Sequence, residues 1–338
     1  MHIPENYLSP ETCAVMTLAM APAWYMAVAK VKKEIPKERL PLLGVGAAFA
    51  FLAMMFNIPL PGGTTGHAVG GTLLAVLFGP WAACLAISVA LLVQAVFFGD
   101  GGILAFGANC FNMAFILPQV GYGIYTWLMH RKKKGASSLR SELVAAGIAS
   151  YVAINAAALC GGIEFGIQPL LFTDAAGNAL YCPYPLWVSV PAMLAGHLTV
   201  AGAAEAIFTV GILAYVRKAA PSFGIEGLGA TDKDASRSSR AMAALMCALI
   251  VLVPLGLLAE GDAWGEWAPE DVSAAVGYAP QGLSTGWMWE ALIPDYSFGA
   301  LPDWAGYVLS AVIGAAVLVI VFRLLAAGGK QKADFGTR

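Results

Sequence analysis

Long apolar runs that end abruptly in clusters of Lys and Arg constrain this chain more than any other feature. One run ends at Lys30–Lys33 and another at Arg131–Lys134. Only 12% of the residues are charged, whereas a soluble protein carries about a quarter. About 20 apolar residues cross the hydrocarbon core of a bilayer, and such segments satisfy their backbone groups in lipid as helices. The sequence therefore predicts an all-α integral membrane protein, a polytopic helical bundle.

The distribution of basic residues predicts the topology. All 19 Lys and Arg lie within residues 30–39, 131–140, 217–240 and 323–338. Nine spans place these four segments on one side, which the positive-inside rule makes cytoplasmic. The N-terminus then lies outside and the C-terminus inside. The predicted spans are residues 10–30, 40–58, 66–79, 81–98, 103–129, 142–163, 187–216, 241–260 and 303–323, with a break expected at Gly79-Pro80.

The opposite side of the predicted bundle carries acidic residues and no basic ones. A separate carboxylate, Glu205, lies well inside the predicted span 187–216, and we expect it to order the bundle through a buried polar bond. The outer acids are Glu5, Glu11, Asp100, Glu164, Asp174 and those of the stretch 260–303.

The first two residues form a potential chelating unit. Residues 1–10 lack the basic start of a cleavable signal peptide, and the bulky His2 disfavours removal of Met1, so we expect Met1 to be retained. The α-amine, the deprotonated amide of His2 and its imidazole can then bind one ion through three nitrogens. His67, after the Gly-rich segment 62–66, is the natural fourth donor, because the topology places it on the same outer face.

This nitrogen set predicts a particular group of metals. Square-planar nitrogen donors suit Ni(II) or Cu(II), and Co(II) also accepts imidazole. The alternative interpretation is that each His is simply solvated at the membrane surface.

Three ordered motifs resemble one known family. Residues 1–10, MHIPENYLSP, are similar to the N-terminal signature of the CbiM/NikM substrate-binding (S) components of energy-coupling factor transporters. Residues 61–67, PGGTTGH, and 101–113, GGILAFGANCFNM, resemble its second and third signatures, so the resemblance covers residues 1–218. It implies a square-planar metal site made by Met1, His2 and His67. The chain departs from the family at residues 5–7, where many members have an acidic residue, Gly and Phe.

The resemblance also implies a function and partners. It implies the substrate-specificity subunit of an ATP-driven Co(II) or Ni(II) importer in a prokaryotic inner membrane, with cobalt for cobalamin biosynthesis weakly favoured. The metal is then transported as substrate, and no cofactor is expected. Partners would be a transmembrane coupling (T) subunit and two ATP-binding subunits. This chain has no GxxxxGK[ST] phosphate-binding loop, so it is not expected to be an enzyme.

Several polar and small residues are candidates for supporting roles. Asn109 and Asn112 lie one helical turn apart and could orient the metal loops or bond neighbouring helices. His197 is a weaker candidate for a residue next to the site. Small residues in the first span, Ala19, Ala23 and Ala27, could let the coupling subunit approach or could pack within this chain.

The C-terminal third reads as an addition. The predicted domains are a metal-capturing unit at 1–218, a cytoplasmic linker at 219–240 and a two-span extension at 241–338. The extension encloses an acidic outer loop at 260–302 with four Trp residues. Its layout resembles the small auxiliary subunit that accompanies these S components.

Two other function classes compete with this interpretation. A secondary transporter or channel for divalent cations would favour paired carboxylates within the spans. A membrane enzyme or haem protein would need several His within the spans at matched depths, and only His197 meets this requirement. Nucleic acid is not an expected partner, since the basic residues are distributed between spans, but membrane lipid is.

Overall fold

The fold is almost entirely helical. The computed structural model describes residues 2–60, 63–131, 138–224 and 232–328, and 73% of these described residues are helical. Six helices within those ranges are long and apolar enough to cross a membrane, which confirms the predicted polytopic helical membrane protein. They are Pro10–Glu34, Pro80–Phe98, Leu139–Leu171, Leu186–Ala219, Ser236–Leu258 and Asp303–Ala327.

Three of the helices are extended or interrupted by π-helical turns. These turns cover Gln94–Phe98, Cys110–Ile116 and His197–Ala201. In chain order the elements are α1 (Pro10–Glu34), α2 (Leu40–Met54), β1 (Ile58–Leu60), β2 (Thr64–Gly66), α3 (Gly71–Phe78), α4 (Pro80–Val93), α5 (Phe106–Asn109), α6 (Leu117–His130), α7 (Leu139–Gly166), α8 (Gln168–Leu171), α9 (Leu186–Gly196), α10 (Gly202–Ala219), α11 (Asp232–Leu252), α12 (Pro269–Val276), α13 (Gln281–Thr285) and α14 (Asp303–Ala327).

Three of the predicted spans are not among the six long helices. The span predicted at 40–58 ends early, because the chain leaves α2 at Met54 to form the antiparallel β1–β2 hairpin. The span predicted at 66–79 contains only the eight residues of α3, and that at 103–129 is divided between α5, a π turn and α6. The break expected at Gly79-Pro80 is present: Gly79, with a φ of 86°, ends α3, and Pro80 begins α4.

The C-terminal extension is packed into the bundle. Helix α14 lies against α2, where Gly44 and Gly314 allow close approach: a Cβ at Gly314 would collide with the ring of Phe51. Phe322 is fully buried at this contact. Helix α11 begins at Asp232 rather than 241, so part of the predicted linker 219–240 is helical. The apolar run located the span but not the polar start of its helix.

The predicted outer loop is a folded structure, here called the cap (residues 260–302). It contains α12, α13 and a 3₁₀ turn at Pro294–Tyr296. The Tyr7 hydroxyl donates to the Trp267 carbonyl at 2.7 Å, and the Trp289 indole donates to the Val96 carbonyl at 3.0 Å. The cap therefore covers the end of the bundle at which the N-terminal segment lies.

The small-residue face of α1 is divided between interior and surface. Ala23 and Ala27 are buried in this chain, and Ala19 is exposed. Ala23 and Ala27 thus pack within this chain rather than against a partner subunit, because α1 lies against α4 and α5. A coupling role stays a prediction for the exposed Ala19 alone.

Candidate metal centre

The structure brings together the two His residues that the sequence singled out. Nδ1 of His2 lies 3.2 Å from Nε2 of His67. Both side chains are buried, with 2% and 7% of their surface exposed. Met1, the third predicted member of the site, lies outside the described residues, so its amine is not part of the geometry below.

The segment that carries His67 is held on both sides. The β1–β2 hairpin precedes it, and the Glu205 carboxylate accepts hydrogen bonds from the backbone N–H groups of Val69 at 2.7 Å and Gly70 at 3.0 Å. Nδ1 of His67 lies 3.2 Å from the Ala68 carbonyl. If Nδ1 donates to this oxygen, Nε2 carries a lone pair directed at His2. Glu205 thus has the ordering role expected of it, and its partner is the loop after His67.

His2 is positioned through the backbone of its neighbour. The Ile3 N–H donates to Oδ1 of Asn109 at 2.7 Å, and Nδ2 of Asn109 donates to the Ile3 carbonyl at 3.0 Å. Gly102 adds a third bond by donating to the same carbonyl at 2.8 Å. Gly101 has a φ of 87°, and a Cβ there would lie 3.0 Å from Nδ2 of Asn109. The third motif therefore clamps the first.

The departure from the family pattern at residues 5–7 has a structural explanation. Asn6 has a φ of 64°, a left-handed conformation that Gly adopts freely and Asn more easily than most residues. Its amide also donates to the Trp287 carbonyl in the cap. The Glu5 carboxylate accepts from the N–H of Ile103 at 2.7 Å. Burial raises the pKa of Glu5 above its ordinary value, and its backbone hydrogen bonds oppose that rise.

Asp100 is a site residue that the sequence did not identify. Its Oδ1 lies 3.0 Å from Nδ1 of His2. Its Oδ2 accepts hydrogen bonds from Nε2 of Gln94 at 2.9 Å and from the Tyr296 hydroxyl at 2.5 Å. Burial, followed by the charge of Asp100, raises the pKa of Tyr296 well above its usual value, so this hydroxyl stays a donor. The only sequence signal was an outer acid directly before the third motif.

A cavity of about 370 Å³ lies beside the two imidazoles. One wall comes from the N-terminal unit and the other from the extension. Residues 259–263 of the extension run past the hairpin, where Ala263 forms a β-bridge with Thr65. The lining includes His2, His67 and Asp100 on one side, and Asp262, Asp295 and Tyr296 on the other.

One of the proposed supporting residues, Asn112, makes its contact away from the cavity, whereas the supporting role of His197 stays a prediction. Nδ2 of Asn112 donates to Oε2 of Glu164 at 2.8 Å, so it bonds neighbouring helices. His197 is buried, and its Nδ1 lies 2.7 Å from the carbonyl oxygen of Met193 in the same helix. Glu164, which we expected among the outer acids, lies near the end of α7 with 5% exposure, so it is buried rather than solvated. Glu164 and Glu205 are thus both buried carboxylates within helices long enough to cross a membrane.

The arrangement suits an ion that also binds backbone nitrogen. In the described part of the chain, no group of three or more His, Cys, Asp or Glu side chains could hold a metal ion by itself. His2 and His67 offer two facing nitrogens that cannot both carry a proton. A site at this point needs further donors of the kind that the sequence predicts, the amine of Met1 and the amide of His2.

Comparison with known proteins agrees with the three motifs. Residues 2–223 match the family described as cobalt uptake substrate-specific transmembrane region, CbiM, and residues 238–329 match the PDGLE domain. The probable fused nickel transport protein LarMN of Lactiplantibacillus plantarum is 49% identical, with 99% of each chain covered. The fused nickel transport protein NikMN of Rhodobacter capsulatus is 48% identical over 94% of this chain and 95% of its own.

A solved structure is also similar. The crystal structure of a truncated transition metal transporter is 54% identical, with a TM-score of 0.60, and covers 64% of this chain and 99% of its own. With six apolar helices, these similarities make the chain a multi-pass protein of cobalt or nickel transport. It belongs to the CbiM family and carries a PDGLE domain fused at its C-terminal end, which confirms the predicted fusion.

Proposed function

We propose that the chain is the substrate-specificity membrane subunit of an ATP-driven importer for nickel or cobalt. It captures the ion at the outer face through the Met1 amine, the amide and imidazole of His2, and the imidazole of His67. The observation that carries this proposal is the 3.2 Å approach of Nδ1 of His2 to Nε2 of His67 in a buried position.

That distance fits adjacent corners of a square. Imidazole nitrogen binds a divalent ion such as Zn²⁺ at about 2.0 Å, which separates neighbouring donors of a square plane by about 2.8 Å. The two nitrogens of this chain are within a few tenths of an ångström of that value. Closing the gap needs only a small movement of either ring.

We propose nickel as the preferred ion and cobalt as its competitor. Two relatives that match nearly the whole chain carry nickel in their names. The Irving–Williams order also favours nickel over cobalt at a given nitrogen site. These two points outweigh the weak preference for cobalt that the resemblance alone suggested.

The transport cycle needs partners that supply energy and movement. The positive-inside pattern supports an outer N-terminus and a cytoplasmic C-terminus in a prokaryotic inner membrane. The family resemblance supports a T subunit and two ATP-binding subunits, whose ATP hydrolysis would reorient this subunit and release the ion inside. Exposed apolar side chains on α1, among them Leu18 and Tyr25, are available to lipid or to the T subunit.

The test is metal content with an intact and an interrupted N-terminus. The full chain, with its native Met1 and a C-terminal tag, is purified in detergent, loaded with nickel and measured by elemental analysis. A variant with one Gly inserted between Met1 and His2 separates the amine from the other donors. His130→Ala is the matched control, because it removes an exposed imidazole at the far end of α6.

We expect about one nickel per chain in the parent and in His130→Ala, and none in the insertion variant. Equal nickel in the parent and the insertion variant would exclude the N-terminal chelate. Competition with cobalt in the same assay tests the ion preference.

A further inference from the structure

The extension touches the metal centre through one continuous line of side chains. The Tyr296 hydroxyl, in the cap, donates to Oδ2 of Asp100 at 2.5 Å. The other oxygen of Asp100 lies 3.0 Å from Nδ1 of His2. Nδ1 is the atom that the proposed function assigns to the metal, and the inference below rests on that assignment.

We propose that Asp100 is a positioning residue that supplies the negative charge beside the bound ion, and that Tyr296 is the residue through which the extension sets how tightly the ion is held. This assigns a role in ion retention to one side chain of the PDGLE domain.

The first argument is charge. A divalent ion bound by a deprotonated amide, a neutral amine and two neutral imidazoles leaves a net charge of plus one. Burying an unpaired charge is costly, and a nearby opposite charge offsets that cost. His2 and His67 are both buried, and the Asp100 carboxylate is the acidic group in contact with His2. It neutralises the complex.

The second argument is orientation. Oδ2 of Asp100 is occupied by two donors, Tyr296 and Gln94. Oδ1 is therefore left to face His2. A carboxylate held by two hydrogen bonds keeps its free oxygen in a fixed place, so the negative charge of Asp100 stays beside Nδ1 and beside the ion that Nδ1 would bind.

The third argument is the unusual backbone at Tyr296. Asp295 and Tyr296 have φ angles of 53° and 57°, and two successive side-chain-bearing residues in the left-handed region are uncommon. Such conformations persist where the surrounding structure enforces them, often at functional sites. Here the Tyr296 ring stacks on Phe98 with centroids 4.6 Å apart, and its carbonyl accepts from the Ser310 hydroxyl. This backbone delivers the hydroxyl to Asp100.

The test uses two Tyr→Phe variants of the full chain with its native N-terminus. Tyr296→Phe keeps the packed ring and removes only the hydroxyl that reaches Asp100. Tyr307→Phe is the matched control, because Tyr307 is also in the extension and lines the same cavity, but its hydroxyl donates to the Met55 carbonyl. Nickel affinity, nickel dissociation rate, melting temperature and the ligand-field absorption of bound nickel are measured for both, and for Asp100→Asn.

We expect Asp100→Asn to weaken nickel binding by about 10- to 100-fold and Tyr296→Phe by about 3- to 10-fold, chiefly through faster dissociation. Both should shift the absorption band of bound nickel, because the charge beside the ion has changed or moved. Tyr307→Phe should stay within about twofold of the parent, with an unchanged band. A purely structural effect would lower the melting temperature and leave the band unchanged.

A double-mutant cycle then tests the route. In an Asp100→Ala background, Tyr296→Phe should have no further effect on nickel dissociation, because the partner that faces His2 is gone and only the bond from Gln94 remains. Equal dissociation rates for Tyr296→Phe and Tyr307→Phe, with a parent that binds nickel, would overturn this inference and leave the proposed function standing. A parent that binds no nickel would overturn both. If the Asp100 variants do not fold, the two Tyr variants alone decide.

Discussion

The two walls of the metal cavity are built in different ways. The wall from the N-terminal unit is here called the donor wall. Its side chains hold the backbone that carries the metal donors: Asn109 binds both polar groups of Ile3, and Glu205 binds the loop after His67. The wall from the extension is here called the cap wall. Side chains of the N-terminal segment donate hydrogen bonds to its backbone carbonyls. Asn6 and Tyr7 donate to the carbonyls of Trp287 and Trp267.

The difference teaches where specificity resides. On both walls a side chain bonds to backbone, but Asn109 and Glu205 hold the segments that carry His2 and His67, whereas the cap bonds to Asn6 and Tyr7, which carry no metal donor. The donor wall should therefore be sensitive to single substitutions, and the cap wall tolerant of them. Tyr296 is an exception, because its hydroxyl contacts two side chains of the opposite wall: it donates to Asp100 and accepts from Gln94.

The largest effect is expected from a donor. His67→Ala should weaken nickel binding by more than about 100-fold, beyond the 10- to 100-fold typical of outer contacts, because one of four nitrogens is lost. Isothermal titration calorimetry measures it. His130→Ala is the control: His130 is exposed and its Nδ1 lies 2.7 Å from the Thr126 carbonyl in its own helix, so its loss should leave nickel affinity nearly unchanged. A comparable loss in both variants would show that the effect of His67→Ala does not come from the loss of a donor.

The next effect concerns the clamp on Ile3. Asn109→Ala should weaken nickel binding by about 10- to 100-fold, because the His2 backbone is no longer fixed. Asn112→Ala removes the same amide one turn away but breaks only the bond to Glu164. It should lower the melting temperature and spare nickel affinity. If Asn112→Ala costs as much affinity as Asn109→Ala, the distinction between clamp and helix contact is wrong.

A smaller effect should distinguish the two buried carboxylates. Glu205→Gln places an amide against the N–H groups of Val69 and Gly70, so it should destabilise the fold by about 2 kcal/mol and weaken nickel binding as the His67 loop moves. Glu164→Gln, far from that loop, should retain full affinity. Thermal unfolding with and without nickel measures both. Stabilisation by nickel should decrease only in Glu205→Gln.

The smallest effect is expected on the cap wall. Thr64→Val removes the hydrogen bond from the Thr64 hydroxyl to the Asp262 carbonyl. One partly exposed hydrogen bond contributes about 1 kcal/mol or less, and we expect less than about a twofold change in nickel affinity. Titration beside Asn109→Ala gives the comparison directly. An effect as large as that of Asn109→Ala would show that the cap wall is as demanding as the donor wall.

Much of the donor wall could be predicted from the sequence, because its elements are short motifs with distinctive chemistry. His2 beside the N-terminus and His67 after a Gly-rich turn are local features, and the charge pattern placed them on one face. Asn109 lies in the third motif, and its hydrogen bonds to Ile3 agree with the prediction that it could orient the metal loops. The partners of these residues were less accessible, since Glu205 lies 136 residues from Val69 in the chain.

Other features could not be predicted because they depend on packing rather than on local sequence. The length of an apolar run indicates whether a segment can cross the bilayer. It does not show whether helix α2 ends at Met54 or continues. Glu164 follows the predicted span directly, and only the packing of α7 shows that it is buried beside Asn112. Ala23 and Ala27 have the spacing of a contact face, yet that spacing does not identify the partner.

The sequence by itself determined that this is a membrane protein, its family and its fused extension, and it singled out His2 and His67 as candidate donors. These features follow from composition and from residues close together in the chain. Only the tertiary structure decided that the cap covers those imidazoles, that Asp100 faces His2, and that Tyr296 reaches Asp100 from 196 residues away. Contacts at that separation depend on how the helices pack. No local pattern specifies that packing, since a carboxylate and a hydroxyl have the same appearance in sequence whether or not they meet.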